Sequence, residues 1–168
     1  MKALTLVQPW AWAVIHAGKD VENRTWRPPE SLLGQRFAIH AGKGWDEDGY
    51  RWLLDRGLHP PSRDRITRGA VVGSAVLSGI IEGGTVVRGV VRPGRRDGLA
   101  MEAACCHVDL GGWYASRVGW ILRDVVALQV VEDCRGYQGL WPLPPGLASM
   151  VEADSVGDGV GRRLEVGR

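Results

Sequence analysis

Ten residues from Gly18 to Arg27, "GKDVENRTWR", place Lys19, Asp20, Glu22, Arg24 and Arg27 directly after the apolar run "QPWAWAVIHAG". On an extended chain, side chains two residues apart share one face at a spacing of about 7 Å. Glu22 and Arg24 have that spacing, so both can point into one groove, with Lys19 at the turn before them. As an exposed edge the pair is an ordinary surface ion pair, worth about 0–1 kcal/mol. As the lining of a cleft the set binds an anion or a heterocycle. Arg24 would clamp a phosphate or a base edge, and Glu22 would hold Arg24 or accept from a base amino group. Lys19 would supply a point charge or a proton-transfer group.

Other residues bear on the same chemistry. His40 and Lys43 stand at the end of "FAIHAG". They are read either as the rim of that cleft or, for His40, as a partly buried histidine at a strand end. Eight Trp accompany a single Phe, and Trp is the largest stacking surface a site can offer. Trp12 lies about 200° round a helix from Trp10, so both cannot face one core. Trp12 or Trp26 is the expected stacking partner, and Trp141 is expected in the core. Arg88, Arg92, Arg95 and Arg96 form a basic run, which is solvated surface unless it borders the cleft. Cys105-Cys106-His107 has no second ligand pair at zinc-like spacing, so no metal is expected. Nothing in the motifs calls for a cofactor. "GAVVG" lacks the Lys-Ser/Thr of a phosphate loop.

Composition sets the frame. The 168 residues carry 45% hydrophobic and 24% charged side chains, as a globular domain does. A net charge of +2 is too mild to announce nucleic acid, so a basic site must come from local clustering. The opening residues show no secretory signal, and no apolar run is long enough to span a bilayer. Three Cys, two of them adjacent, make no disulfide framework. A cytoplasmic protein without membrane attachment is expected.

The elements that must position these residues follow from pattern. "KALTLV" alternates as a strand, and Gln8-Pro9 opens a helix that Gly18 closes. "RFAIHAG", "GAVVGSAVLSGIIE" and "VGWILRDVVALQVV" read as strands, and "TVVRGVV" as the return of a hairpin. "WDEDGYRWLLDRGL" reads as a helix with Trp45, Trp52 and Leu53 apolar, "LAMEAACC" as a short helix, and a last short helix follows the Pro-rich turn after Trp141. From Asp154 the chain has few large apolar residues, which predicts a flexible tail over 154–168. The pattern predicts an α+β domain: a small barrel of mostly antiparallel strands with two or three flanking helices.

"QPWAWAVIHAGKDVENRTWR" resembles the opening signature of ASCH domains, which share a PUA-like fold and carry a turn of pattern G-x-K-x-x-E-x-R. Lys19, Glu22 and Arg24 keep the mutual spacing of that pattern, while Gly18 directly precedes Lys19, one residue closer than the pattern has it. "FAIHAG", "GAVVGSAVL", "VGWILRDV" and "GLW" are also similar. The resemblance runs from Met1 to Val151, and predicts a domain over 1–153 in which 84–112 is an insertion. It implies a PUA-like β-barrel with a cleft beside helix one, and a nucleic-acid partner, RNA or DNA, with single strands favoured. Lys19, Glu22, Arg24, Trp12, Trp26, His40 and Lys43 would form the binding surface. Some members are ribonucleases, and a bacterial branch hydrolyses the acetyl amide of N4-acetylcytidine with a Lys and a Thr of this turn. Here Lys19 matches the Lys, but Glu22 stands where that branch has Thr, so the hydroxyl nucleophile is missing. A hydrolase would have to rely on Lys19 and Glu22, with Glu22 as a base towards water. A third reading is a protein-interaction module.

Overall fold

Seven strands, β1 (Lys2–Gln8), β2 (Val21–Arg24), β3 (Arg36–Trp45), β4 (Ala70–Glu82), β5 (Thr85–Gly89), β6 (Val118–Asp133) and β7 (Leu140–Pro142), and three helices, α1 (Trp10–His16), α2 (Glu47–Asp55) and α3 (Pro145–Gly157), make up the computed structural model. It describes residues 1–89 and 112–157. The strands form one sheet in the order β2-β6-β4-β3-β1-β7, with β5 paired to β4. The sheet curls into a half-barrel, giving a mixed α+β fold. All pairings are antiparallel except β1 with β3.

Period-two alternation accounts for the two cores. Leu4 and Leu6 of β1 and Phe37 and Ile39 of β3 point to the inner face, where they meet Leu77, Trp120 and Leu122. Ala3 and Ala38 point outward and are covered by Trp141, Leu143, Ala148 and Val151 of the β7–α3 segment. The middle strands are thus buried on both faces, which is why their sequences read as nearly continuous apolar runs.

The structure moves several boundaries, each for a physical reason. β3 does not stop at Gly42 but runs on to Trp45. A Cβ at Gly42 would lie 3.0 Å from Thr5 Cγ2 and 3.2 Å from Leu6 O, and one at Gly44 2.8 Å from Val7 Cγ2. These glycines let β1 approach β3 and do not end the strand. Trp45 closes β3, and α2 starts after it because Asp46 caps it, Oδ1 accepting from the Gly49 N–H at 2.9 Å. Pro9 precedes α1, in the N-cap place, after a cis peptide bond. α3 runs from Pro145 to Gly157, so Asp154 lies within a helix. Ser155 docks there, its Oγ 3.1 Å from the buried Ser74 Oγ. Thr85 to Gly89 return along β4 as a hairpin strand. Arg92, Arg95, Arg96, the "LAMEAACC" helix with Cys105, Cys106 and His107, and residues 158–168 lie outside the described residues. Arg88 pairs with Glu30 at 3.5 Å and does not line the cleft described below. No helix among the described residues is long and apolar enough to cross a membrane.

α1 is short, and it seats on the sheet through Ala11, Ala13 and Val14. Gly18 takes a φ of +68°, which reverses the chain at low steric cost and lets the Lys19 N–H return to Ala13 O at 3.1 Å. That reversal aims Lys19 inward and feeds β2, which lies at the sheet edge against β6.

Candidate functional site

The reversal after α1 and the pleat of β2 place three charged groups in one network. Lys19 is 2% exposed. Its Nζ donates to Glu22 Oε2 at 2.8 Å and to the Val21 carbonyl. Arg24 Nε faces Glu22 Oε1 at 3.2 Å, and Arg24 Nη2 donates to Thr5 O at 2.9 Å. Both oxygens of Glu22 are therefore engaged. Glu22 thus stands between the two cations and holds Lys19 and Arg24 together. Arg24 is hydrogen-bonded through Nη2 and ion-paired through Nε, which is buried and makes no hydrogen bond among the described residues.

These residues line an open cleft of about 1470 Å³. One wall is the Lys19–Glu22–Arg24 network with Trp10 and Trp26. The other comes from β3, residues 68–69 just before β4, and the segment 133–139. Among the lining residues, five cations (Lys19, Arg24, Lys43, Arg68, Arg135) face two carboxylates (Glu22, Asp133). The local clustering that the mild net charge demanded is thus present.

Of the sequence candidates, Lys19, Glu22, Arg24, Trp26, His40 and Lys43 all line this cleft, and Trp12 does not. Trp12 pairs with His16 on α1, ring centroids 5.9 Å apart. Its place is taken by Trp10, whose Nε1 donates to Asp46 Oδ2 at 2.8 Å. Trp10 stands edge-on to Trp52, and Lys19 Nζ lies 5.9 Å from its ring centroid. Gly49 makes room for this ring: a Cβ there would lie 2.5 Å from Trp10 Cζ2. A glycine inside the predicted α2 was the available signal for a bulky neighbour, but not for which one. Trp26 packs edge-on against Trp120 at 4.8 Å, so it is wall as well as core.

His40 lies on the floor of the cleft and not on its rim, because β3 runs past it; it is 2% exposed. Its Nε2 is 3.0 Å from Cys134 O, an acceptor only, so Nε2 carries the proton and Nδ1 is bare. Nδ1 is buried with no partner among the described residues. Gly136 lies over that edge of the ring, and a Cβ there would come within 2.5 Å of Nδ1. The segment "CRGYQG" is the part of the site that sequence reasoning missed. Tyr137, 53% exposed, rests against Trp141, whose Nε1 donates to Thr5 Oγ1 at 3.1 Å. Trp141 itself is buried in the outer core, as expected.

Comparison of the sequence with models of known families found no match, and a search of curated proteins found none either. The site is therefore interpreted from its own geometry. Among the described residues, no group of three or more His, Cys, Asp and Glu side chains could hold a metal ion.

Burial holds the His40 pKa below the ordinary imidazole value of 6.5, with the Cys134 carbonyl opposing in part. The unfolded chain then binds the proton more readily than the folded one. The neutral ring contributes stability that is complete above pH 6.5 and is lost as the pH falls from there through the folded pKa. His16 is shifted the same way by burial, so wild type carries two such contributions. In urea titrations between pH 7 and pH 5, His40→Gln is expected to flatten the pH dependence. The part it removes has a slope of at most about 1.4 kcal/mol per pH unit. Equal slopes in the two proteins would mean that His40 titrates alike in both states.

Proposed function

We propose that this chain is a nucleic-acid-binding module of the ASCH-like, PUA-like kind, and that it takes RNA or another single strand into the cleft beside α1. The observation that carries this reading is the placement of Arg24. Its guanidinium is hydrogen-bonded to Thr5 O and ion-paired with Glu22 Oε1, in a cleft also lined by Trp10, Trp26 and Tyr137. A fixed guanidinium clamps a phosphate or a base edge, and the aromatic rings offer stacking surfaces to unpaired bases. Single strands are favoured over a duplex because stacking on protein rings requires bases that are not already stacked.

The hydrolase reading is less well supported. Lys19 Nζ donates to a carboxylate and a carbonyl, and Glu22 is engaged on both oxygens, so neither is poised for attack or proton abstraction. Purified protein is expected to release no cytidine from N4-acetylcytidine. Turnover that vanishes in Lys19→Ala would put the enzyme first.

The binding test is a titration with a fluorescent ten-nucleotide oligouridylate at fixed salt. Arg24→Ala is expected to weaken binding at least tenfold, the size of a lost charge-assisted hydrogen bond of about 1.5–3 kcal/mol. Arg123→Ala, an exposed cation away from the cleft, is expected to change it less than twofold. Equal losses from the two would replace the cleft with diffuse surface attraction.

A further inference from the structure

The second wall of the cleft carries its own charge pattern, apart from the Lys19–Glu22–Arg24 network. Ala41 of β3 pairs with Ala70 of β4, and Ala70 pairs with Asp133 of β6. Lys43 lies two residues after Ala41, Arg68 two before Ala70, and Arg135 two after Asp133. Because β4 runs antiparallel to both neighbours, these offsets all lead off the same end of the sheet. This end of the sheet thus carries one cation on each of three adjacent chain segments: Lys43 inside β3, Arg68 just before β4 and Arg135 just after β6. Neighbouring strands are about 4.8 Å apart, so the three backbones span on the order of 10 Å.

The row is tied together by backbone contacts. Gly69 N donates to Ala41 O at 2.6 Å, and Cys134 N donates to Gly69 O at 2.9 Å. Arg68 Nη1 is 3.4 Å from Lys43 O. Gly69 has a φ of +72°, and the Lys43 stem passes over it, so a Cβ there would lie 3.2 Å from Lys43 Cε. Arg135 is stacked towards Tyr137, 5.5 Å from the ring centroid. Among the described residues none of the three cations forms an ion pair. Asp133 is the carboxylate lining this wall, and no ion pair joins it to them.

We infer that Lys43, Arg68 and Arg135 form a phosphate-binding rim that engages successive phosphates of a single-stranded polynucleotide, so that the ligand of the cleft is a strand and not a lone nucleoside. The inference rests on the nucleic-acid reading of the cleft. It adds which wall meets the backbone: the network around Arg24 faces a base or one anchored phosphate, and the rim tracks the chain. A row about 10 Å long is wider than one phosphate group can cover, and unpaired cations are what counterion release requires.

The test is the slope of log K against log salt for the ten-nucleotide oligouridylate. Each phosphate neutralised on a single strand contributes about 0.7 to that slope. The triple variant Lys43→Gln, Arg68→Gln, Arg135→Gln is expected to lose about 2 from the wild-type slope, at three contacts of about 0.7 each. Arg123→Gln is expected to lose none. Lys43→Gln alone, at an exposed side chain, carries the same test at about 0.7 should the triple variant not fold. An unchanged slope in the rim variants, with Arg24→Ala still weakening binding, overturns the rim and leaves the cleft reading standing. A slope lost in the rim variants, with Arg24→Ala binding as wild type, keeps the rim and removes the cleft reading. A loss in Arg123→Gln equal to that in Lys43→Gln makes the attraction diffuse and overturns the rim. Wild type that shows no salt-dependent binding of the oligouridylate overturns both.

Discussion

Glu22→Ala is expected to cost about 3–5 kcal/mol of stability, the range for removing one partner of a buried ion pair. Lys19 is 2% exposed and keeps its ammonium in the protein interior by donating to Glu22 Oε2 and the Val21 carbonyl. Without the carboxylate that charge stays buried beside a single carbonyl, and Arg24 Nε loses the group it faces at 3.2 Å. A domain of this size has about 5–15 kcal/mol in total, so the variant should be close to unfolding at 37 °C. Lys19→Met should cost less, because Glu22 then still has Arg24. The double change Lys19→Met with Glu22→Leu should recover part of the loss, since a buried pair replaced by apolar groups of similar volume is often nearly neutral. Urea unfolding at constant m-value measures all three. A cost under about 1 kcal/mol for Glu22→Ala would be that of a solvated surface pair, and would mean that water reaches Lys19.

Gly73→Ala tests how the site is carried by the sheet. In a strand interior alanine ordinarily gains about 0.5–1 kcal/mol over glycine. At Gly73 the sign is expected to reverse, with a net loss of about 1–3 kcal/mol from overpacking. A Cβ there would sit 2.5 Å from Ile15 Cδ1 and closer still to the Val126 carbonyl oxygen of β6. The Ile15 methyl can rotate away, but the carbonyl belongs to the paired backbone and cannot. Gly73 is therefore the place where α1 rests on β4, and α1 carries Trp10 and leads into the Gly18–Lys19 turn. The affinity for oligouridylate should fall along with stability. Gly146→Ala in α3 is the contrast: nothing lies within 4 Å of its Cβ position, so it should be neutral or stabilising. Thermal melts that place both variants on the same side of wild type would show that the Gly73 contact is relieved cheaply.

The two walls respond to different variables, and this makes the proposed function separable in experiment. In one wall Lys19 and Glu22 are buried, Arg24 is half-buried, and the network is tied to the backbone at both ends, so its changes should move stability and affinity together. The Lys43–Arg68–Arg135 rim has two exposed members and no ion pairs among the described residues, so its changes should move salt dependence with little effect on folding.

What the sequence determined by itself was local. The alternation in β1 and the spacing that sends Glu22 and Arg24 to one face follow from the strand period of 2.0 residues, β3, β4 and β6 read as apolar runs between breakers, and the Pro9 and Gly18 boundaries of α1 follow from the fixed φ of Pro and the free φ of Gly. Those signals need no partner to be read. The tertiary structure decided whatever depends on which segments meet. Gly42 looked like the end of a strand and proved to be where β1 comes close, so His40 is on the floor of the cleft and not on its rim. Trp10 and not Trp12 faces the cleft, because Gly49, 39 residues away along the chain, leaves space for that ring. Segment 134–139 became a wall because Cys134 O meets His40 and Tyr137 meets Trp141. Lys43, Arg68 and Arg135 are scattered in sequence and became one row only through the register of β3, β4 and β6. Pairing across such separations is chosen by the packing of the whole sheet, where a slip of one residue would turn every buried side chain outward, and no short stretch of sequence contains that information.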